Sequence, residues 1–160
     1  MSQDRILQVS GTIAAPPEKA FALLADPARH PELDGAGMVR GLDSGGPVTA
    51  VGDEFVMRMN QDGIGDYAMR SEVTDYEPGR RIAWAPSIHP PGSLAHVIGE
   101  IDPSGHTYGW ELEPTADGGT RVTHTYDWSG VADEGALGLY PRVTEEQMSA
   151  SIAKLGEAAR

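Results

Sequence analysis

Apolar and polar residues alternate along most of this chain, and the sharpest alternation lies near its end. In residues 120–129, Val122, His124, Tyr126 and Trp128 fall on one side, and Arg121, Thr123, Thr125 and Asp127 on the other. A period of two with one apolar side marks a strand that buries one face. Residues 106–113 repeat the pattern, with Tyr108, Trp110 and Leu112 together. Asp117, Gly118 and Gly119 between the two runs predict a turn and hence a hairpin. A second hairpin is predicted from 54–60, where Phe55, Met57 and Met59 align, into 66–76 across Asp62-Gly63-Ile64-Gly65. Glu77-Pro78-Gly79-Arg80 predicts another tight turn into a strand at 81–85. The chain opens with a partly alternating run at 6–14. A glycine-rich stretch at 35–52 reads as a short strand and loop.

Helical signals stand at the two ends. Pro16 and Pro17 stop the first strand and suit a first helical turn, after which Ala20, Phe21 and Leu24 share a face until Asp26-Pro27. Pro27 to Pro31 reads as a short second turn. Near the C-terminus, Asp133 is a candidate cap for a turn through Leu139, and Thr144 with Gln147 has capping-box spacing. Met148, Ile152, Leu155 and Ala159 then recur as one stripe of a long helix. Residues 86–105 hold several prolines and glycines around a short element at 94–101, and predict an irregular loop. Strand, helices, strands and a long final helix make an α+β domain over residues 1–160, in which the terminal helix covers the apolar face of the sheet.

Composition narrows the partners. A net charge of −12 argues against a nucleic-acid surface, which needs clustered Lys and Arg. No apolar run approaches membrane-spanning length, so no membrane insertion is expected. Residues 1–5 lack the basic and then apolar opening of a secretory signal, which makes the cytoplasm the default. The absence of cysteine excludes disulfides and thiol chemistry. Oligomeric state leaves no mark in the pattern.

The stretch 13–26, from Ile13 through Pro16, Pro17, Glu18 and Phe21 to Asp26, with Pro31 beyond it, resembles the START-related helix-grip superfamily. The likeness is to its polyketide cyclase/dehydrase and lipid-transport-type members. Leu112-Glu113-Pro114 and Gly119-Thr120-Arg121-Val122-Thr123 are similar to the late hairpin of that group. Leu33 departs from it, since members often carry tryptophan there. The resemblance implies a helix-grip fold, a curved antiparallel sheet of about six to seven strands wrapped around the long C-terminal helix. It also implies a cavity between them for lipids, steroids, polyketides or hormones, with no shared catalytic residue.

Alternation supplies the candidate lining. Tyr108, Trp110, Tyr126 and Trp128 face inward together, Trp84 and Ile82 continue the surface, and Met57 and Met59 close it; Met148 and Ile152 would face it from the helix. All three tryptophans then sit on one concave face. Large rings with one polar atom each suit a pocket that is mostly apolar, although the same residues also suit an ordinary core. His124 is the candidate catalytic group. It can act as general acid or base, or it can be a structural residue bonded to a tyrosine or a carbonyl. His89 and His96 flank the irregular loop and are candidates for the cavity mouth, or for plain solvated positions. Two histidines seven apart define no metal site, so no metal is expected. Gly35, Gly37 and Gly41 make no dinucleotide fingerprint, and no cofactor is expected. Arg58 and Arg70 lie off the apolar faces and read as solvated.

Three functions follow. The favoured one is a carrier or sensor of a small hydrophobic molecule, which needs only the cavity. A polyketide cyclase or dehydratase with His124 as proton shuttle is the second. A protein-interaction domain resembling the co-chaperone branch of the superfamily is the third, and it predicts a poorly formed cavity.

Overall fold

A computed structural model describes residues 5–160; residues 1–4, part of the stretch read for an export signal, lie outside them. Seven strands form one antiparallel sheet: β1 (Ile6–Ile13), β2 (Val39–Ser44), β3 (Glu54–Gln61), β4 (Gly65–Glu77), β5 (Arg81–His89), β6 (Thr107–Pro114) and β7 (Thr120–Asp127). Their order across the sheet is β1-β7-β6-β5-β4-β3-β2. The helices are α1 (Pro17–Leu24), the short α2 (Ala95–Ile98) and the terminal α3 (Glu145–Ala158), with 3-10 segments at Pro27–Glu32 and Glu134–Leu139.

The predicted caps form. Thr144 accepts from the Gln147 amide, and the Gln147 side chain accepts from the Thr144 amide, which closes a complete capping box at the start of α3. Asp133 accepts from Gly135 N–H at 2.9 Å and holds the 3-10 turn that follows it. Asp26 caps the segment after α1 through Ala28 N–H.

The terminal helix covers one side of the sheet only. It packs against β1 and α1, and glycines permit the approach. A Cβ on Gly156 would stand 2.9 Å from Ile13 Cγ2, and one on Gly11 3.3 Å from Ile152 Cγ2. Ile152 and Leu155 join Ile13, Phe21, Leu24, Leu112 and Val122 in a dry core. Met148 joins a second cluster with Tyr126, Trp128, Val131, Ala136 and Val143.

Strand β5 is longer than the sequence suggests, running to His89 through Pro86. Its pairing with β6 spans only Arg81 to Trp84, opposite Glu111 to Tyr108, and beyond Trp84 its one strand neighbour is β4. Proline is tolerated where one side of a strand has no ladder to break. The irregular segment accordingly begins only after His89, and α2 is its one regular turn.

Candidate functional site

Inward-facing positions of β3 to β7 build the wall of a cavity of ≈ 400 Å³. Met57 and Met59 come from β3, Tyr67, Met69 and Ser71 from β4, and Trp84, Pro86 and Ile88 from β5. Tyr108 and Trp110 of β6 face His124 and Tyr126 of β7. The roof is not the long helix. Leu24, His30, Leu33, Asp34 and Met38 cover one side, and Leu94, Ile98, Pro103 and Ser104 another. Leu139, Tyr140, Arg142 and Val143 complete it, and α3 contributes Ser151 alone.

Register explains the aromatic wall. Trp110 stands opposite His124 and Tyr108 opposite Tyr126, and each pair stacks. The Trp110 and His124 rings lie 3.8 Å apart at 15°, and the two tyrosine rings 4.5 Å apart at 18°. Cross-strand neighbours on one face meet in this way without cost to either strand. On the other side of the cavity His30 stacks on Trp84 at 4.9 Å and meets Phe55 edge-on.

Three buried histidines touch the cavity, and each has a hydrogen bond that orients it. His124 Nδ1 donates to the Gly109 carbonyl at 2.9 Å, and His30 Nε2 donates to the Leu24 carbonyl at 2.7 Å. His106 Nδ1 donates to the Tyr140 hydroxyl at 3.0 Å, and that hydroxyl donates to the Pro103 carbonyl. Burial lowers all three imidazole pKa values, those of His106 and His124 to about 4. The three rings are therefore neutral near pH 7. Burial likewise raises the Tyr108, Tyr126 and Tyr140 phenols above their ordinary value. The strand wall carries hydroxyl and imidazole groups set in apolar surface, and the charged groups of the lining, Asp34, Asp62 and Arg142, stand outside the strands. Asp34 is a carboxylate of the roof, and it accepts from the amides of Ala36, Met38 and Val39.

Of the residues singled out from sequence, Met57, Met59, Trp84, Tyr108, Trp110, His124 and Tyr126 meet in this cavity. Trp128, Met148 and Ile152 do not. Trp128 follows the last rung of β7 and is buried beside Tyr126 at 5.1 Å, and the two helix residues lie in dry core. The three tryptophans therefore do not share one cavity face. His89 ends β5 opposite Ala68, and His96 sits on α2; both line a separate hollow rather than the cavity. Sequence reading missed His30, Ser71, His106 and Tyr140. Ser71 was legible from the alternation of β4 with Val73 and Met69. His30 and Tyr140 come from roof segments without any period.

A curved antiparallel sheet gripping a C-terminal helix, with a cavity at its concave face, defines an α+β protein of the helix-grip type. Over residues 5–160 the chain matches the polyketide cyclase/dehydrase and lipid transport family, and it belongs to that family. Among curated proteins it is similar to the uncharacterized protein Rv0088 of Mycobacterium tuberculosis, 35% identical over 116 residues. That match covers 72% of this chain and 44% of the relative, so the chain spans less than half the relative's length. Protein MLL2253 of Mesorhizobium loti shares the fold at 21% identity and a TM-score of 0.64, with 96% of each chain covered. Protein Ms6760 of Mycobacterium smegmatis does so at 16% identity and a TM-score of 0.68, over 96% of this chain and 89% of that one. Among the described residues, no helix is long and apolar enough to cross a membrane.

Proposed function

We propose that this protein binds a small hydrophobic molecule in the cavity and holds it without converting it, as a carrier or sensor. The observation that carries this reading is a formed cavity of ≈ 400 Å³ whose wall is apolar and aromatic, with a few oriented polar groups. Ligand sites of small molecules have this composition. A formed cavity also counts against the protein-docking reading, which needs none.

One observation favours catalysis instead. With Nδ1 of His124 donating to Gly109, Nε2 carries the free lone pair on a ring that lines the cavity. A cyclase or dehydratase would use that nitrogen as its base. Its low basicity makes it a poor proton shuttle at neutral pH, and among the described residues its ring bonds only the Gly109 carbonyl.

Titration with the neutral fluorophore N-phenyl-1-naphthylamine tests the proposal. Saturable binding at one site is expected, lost in Ser71→Phe, which fills the cavity, and kept in His124→Ala. Binding that never saturates, or that ignores the filled cavity, would remove the carrier reading. Turnover of a poly-keto substrate that disappears in His124→Ala while binding persists would establish the enzyme.

A further inference from the structure

The lining of the cavity holds two stacked imidazole–indole pairs, His30 on Trp84 and His124 on Trp110. In each pair the imidazole, kept neutral by burial, has spent its one N–H inside the protein. His30 Nε2 donates to the Leu24 carbonyl, and His124 Nδ1 to the Gly109 carbonyl. A carbonyl only accepts, so these bonds fix the tautomers. The nitrogens left over, Nδ1 of His30 and Nε2 of His124, carry a lone pair and no proton. His106 adds a third. Its Nδ1 donates to the Tyr140 hydroxyl, whose own proton goes to the Pro103 carbonyl, and its Nε2 is left bare.

These three nitrogens open on the cavity. Among the described residues, no side-chain nitrogen or oxygen that is sealed from open space lacks a hydrogen-bond partner. His30, His106 and His124 are themselves buried and line the cavity, so the space that reaches their unpartnered nitrogens is the cavity's own. The indole N–H of the buried Trp110 has no partner among the described residues either, and it opens on the same space.

Serine and tyrosine hydroxyls of the wall rotate to donate or to accept, and so select nothing. The imidazole nitrogens do select, because each needs a donor from whatever covers it. A wholly apolar ligand would take water from them and leave them unpaired, which costs more than a made bond returns. A keto or ether oxygen answers the indole but not the imidazoles. A hydroxyl answers both, since its oxygen accepts and its proton donates. We infer that the ligand of this cavity is a hydroxylated molecule, a phenol or an alcohol with an apolar body, whose O–H donates to a bare imidazole nitrogen of the lining. This rests on the carrier reading of the cavity and specifies its ligand class.

Displacement of N-phenyl-1-naphthylamine by matched probes tests the inference: 2-naphthol against 2-methoxynaphthalene, and 2-naphthalenemethanol against its methyl ether. A cavity without directed acceptors would rank each pair as hexadecane does, penalising the hydroxyl. The hydroxyl probes are expected to exceed that hexadecane–water ranking by about fivefold or more, the factor one neutral hydrogen bond supplies. The pair with the larger excess identifies phenol or alcohol. H30F, H106F and H124F each keep a ring and remove the acceptor, and the excess should fall by that factor in at least one of them. H124N keeps an amide N–H for the Gly109 carbonyl and replaces H124F if the latter does not fold. H96A, outside the cavity, should leave the excess unchanged. Probes that follow hexadecane partition, an excess that survives all three histidine variants, or an equal fall in H96A would overturn the assignment. Failure of the reporter itself to bind would instead remove the carrier reading.

Discussion

The sheet has two halves that solve the same problem differently. The face formed by β1, β7 and the far end of β6 is closed by two regular helices, α3 and α1, and Val122, Leu112 and Leu155 pack there with almost no exposure. Over β3, β4 and β5 the cover consists of short irregular pieces, each reaching the sheet by a few side chains. A helix presents a continuous stripe that can interlock with a sheet, whereas segments held by caps and isolated hydrogen bonds leave volume between them. Empty space in this fold is thus a property of the kind of cover.

The widest separation of the halves should come from pH. The histidines that line the cavity from the β6–β7 side, His106 and His124, are neutral when folded, with pKa values lowered to about 4, while unfolded histidine protonates near 6.5. Between those values the unfolded chain binds more protons, so stability is full above about pH 6.5 and falls as pH drops toward 4. Each ring contributes on the order of 3 kcal/mol to that loss. Urea unfolding across this range should show it, and His124→Gln should flatten the slope. Next, Leu155→Ala in the packed half should cost about 2–5 kcal/mol, because the buried site cannot collapse. Met69→Ala, at a wall that already faces space, should cost about 1 kcal/mol or less. Equal midpoints for those two variants would erase the distinction between the halves. Of similar size, Thr144→Ala removes a cap on the packed side for about 1 kcal/mol and should leave fluorophore binding unchanged.

Legibility in the sequence followed the same division. Strands β6 and β7 and helix α3 were readable because each repeats one period over many residues, and the stacked wall of Tyr108, Trp110, His124 and Tyr126 came directly from that period. Strand β5 was cut short at Ala85 because Pro86 breaks a two-sided ladder, and nothing local announces that β6 has already turned away. The covering segments were opaque for a deeper reason. His30 and Tyr140 take their places from single tertiary bonds, to Leu24 and to Pro103, and such bonds leave no repeat to detect. Trp128 misled in the opposite way. It keeps the parity of its strand, and its N–H still donates to the Arg5 carbonyl, but it packs with Val131, Ala136, Val143 and Met148 instead of lining the cavity.

The junction of β5 with β6 has a mechanical meaning. Four residues on each strand hold it, Arg81 to Trp84 against Tyr108 to Glu111, where the neighbouring junctions with β4 and β7 hold along eight or more. The sheet is thus two leaves bound along a short spine; β1, β7 and β6 carry the terminal helix, and both leaves supply the wall of the basin. The β5 residues beyond that spine, Pro86 and Ile88, therefore line the basin from a strand segment that has β4 as its one strand neighbour.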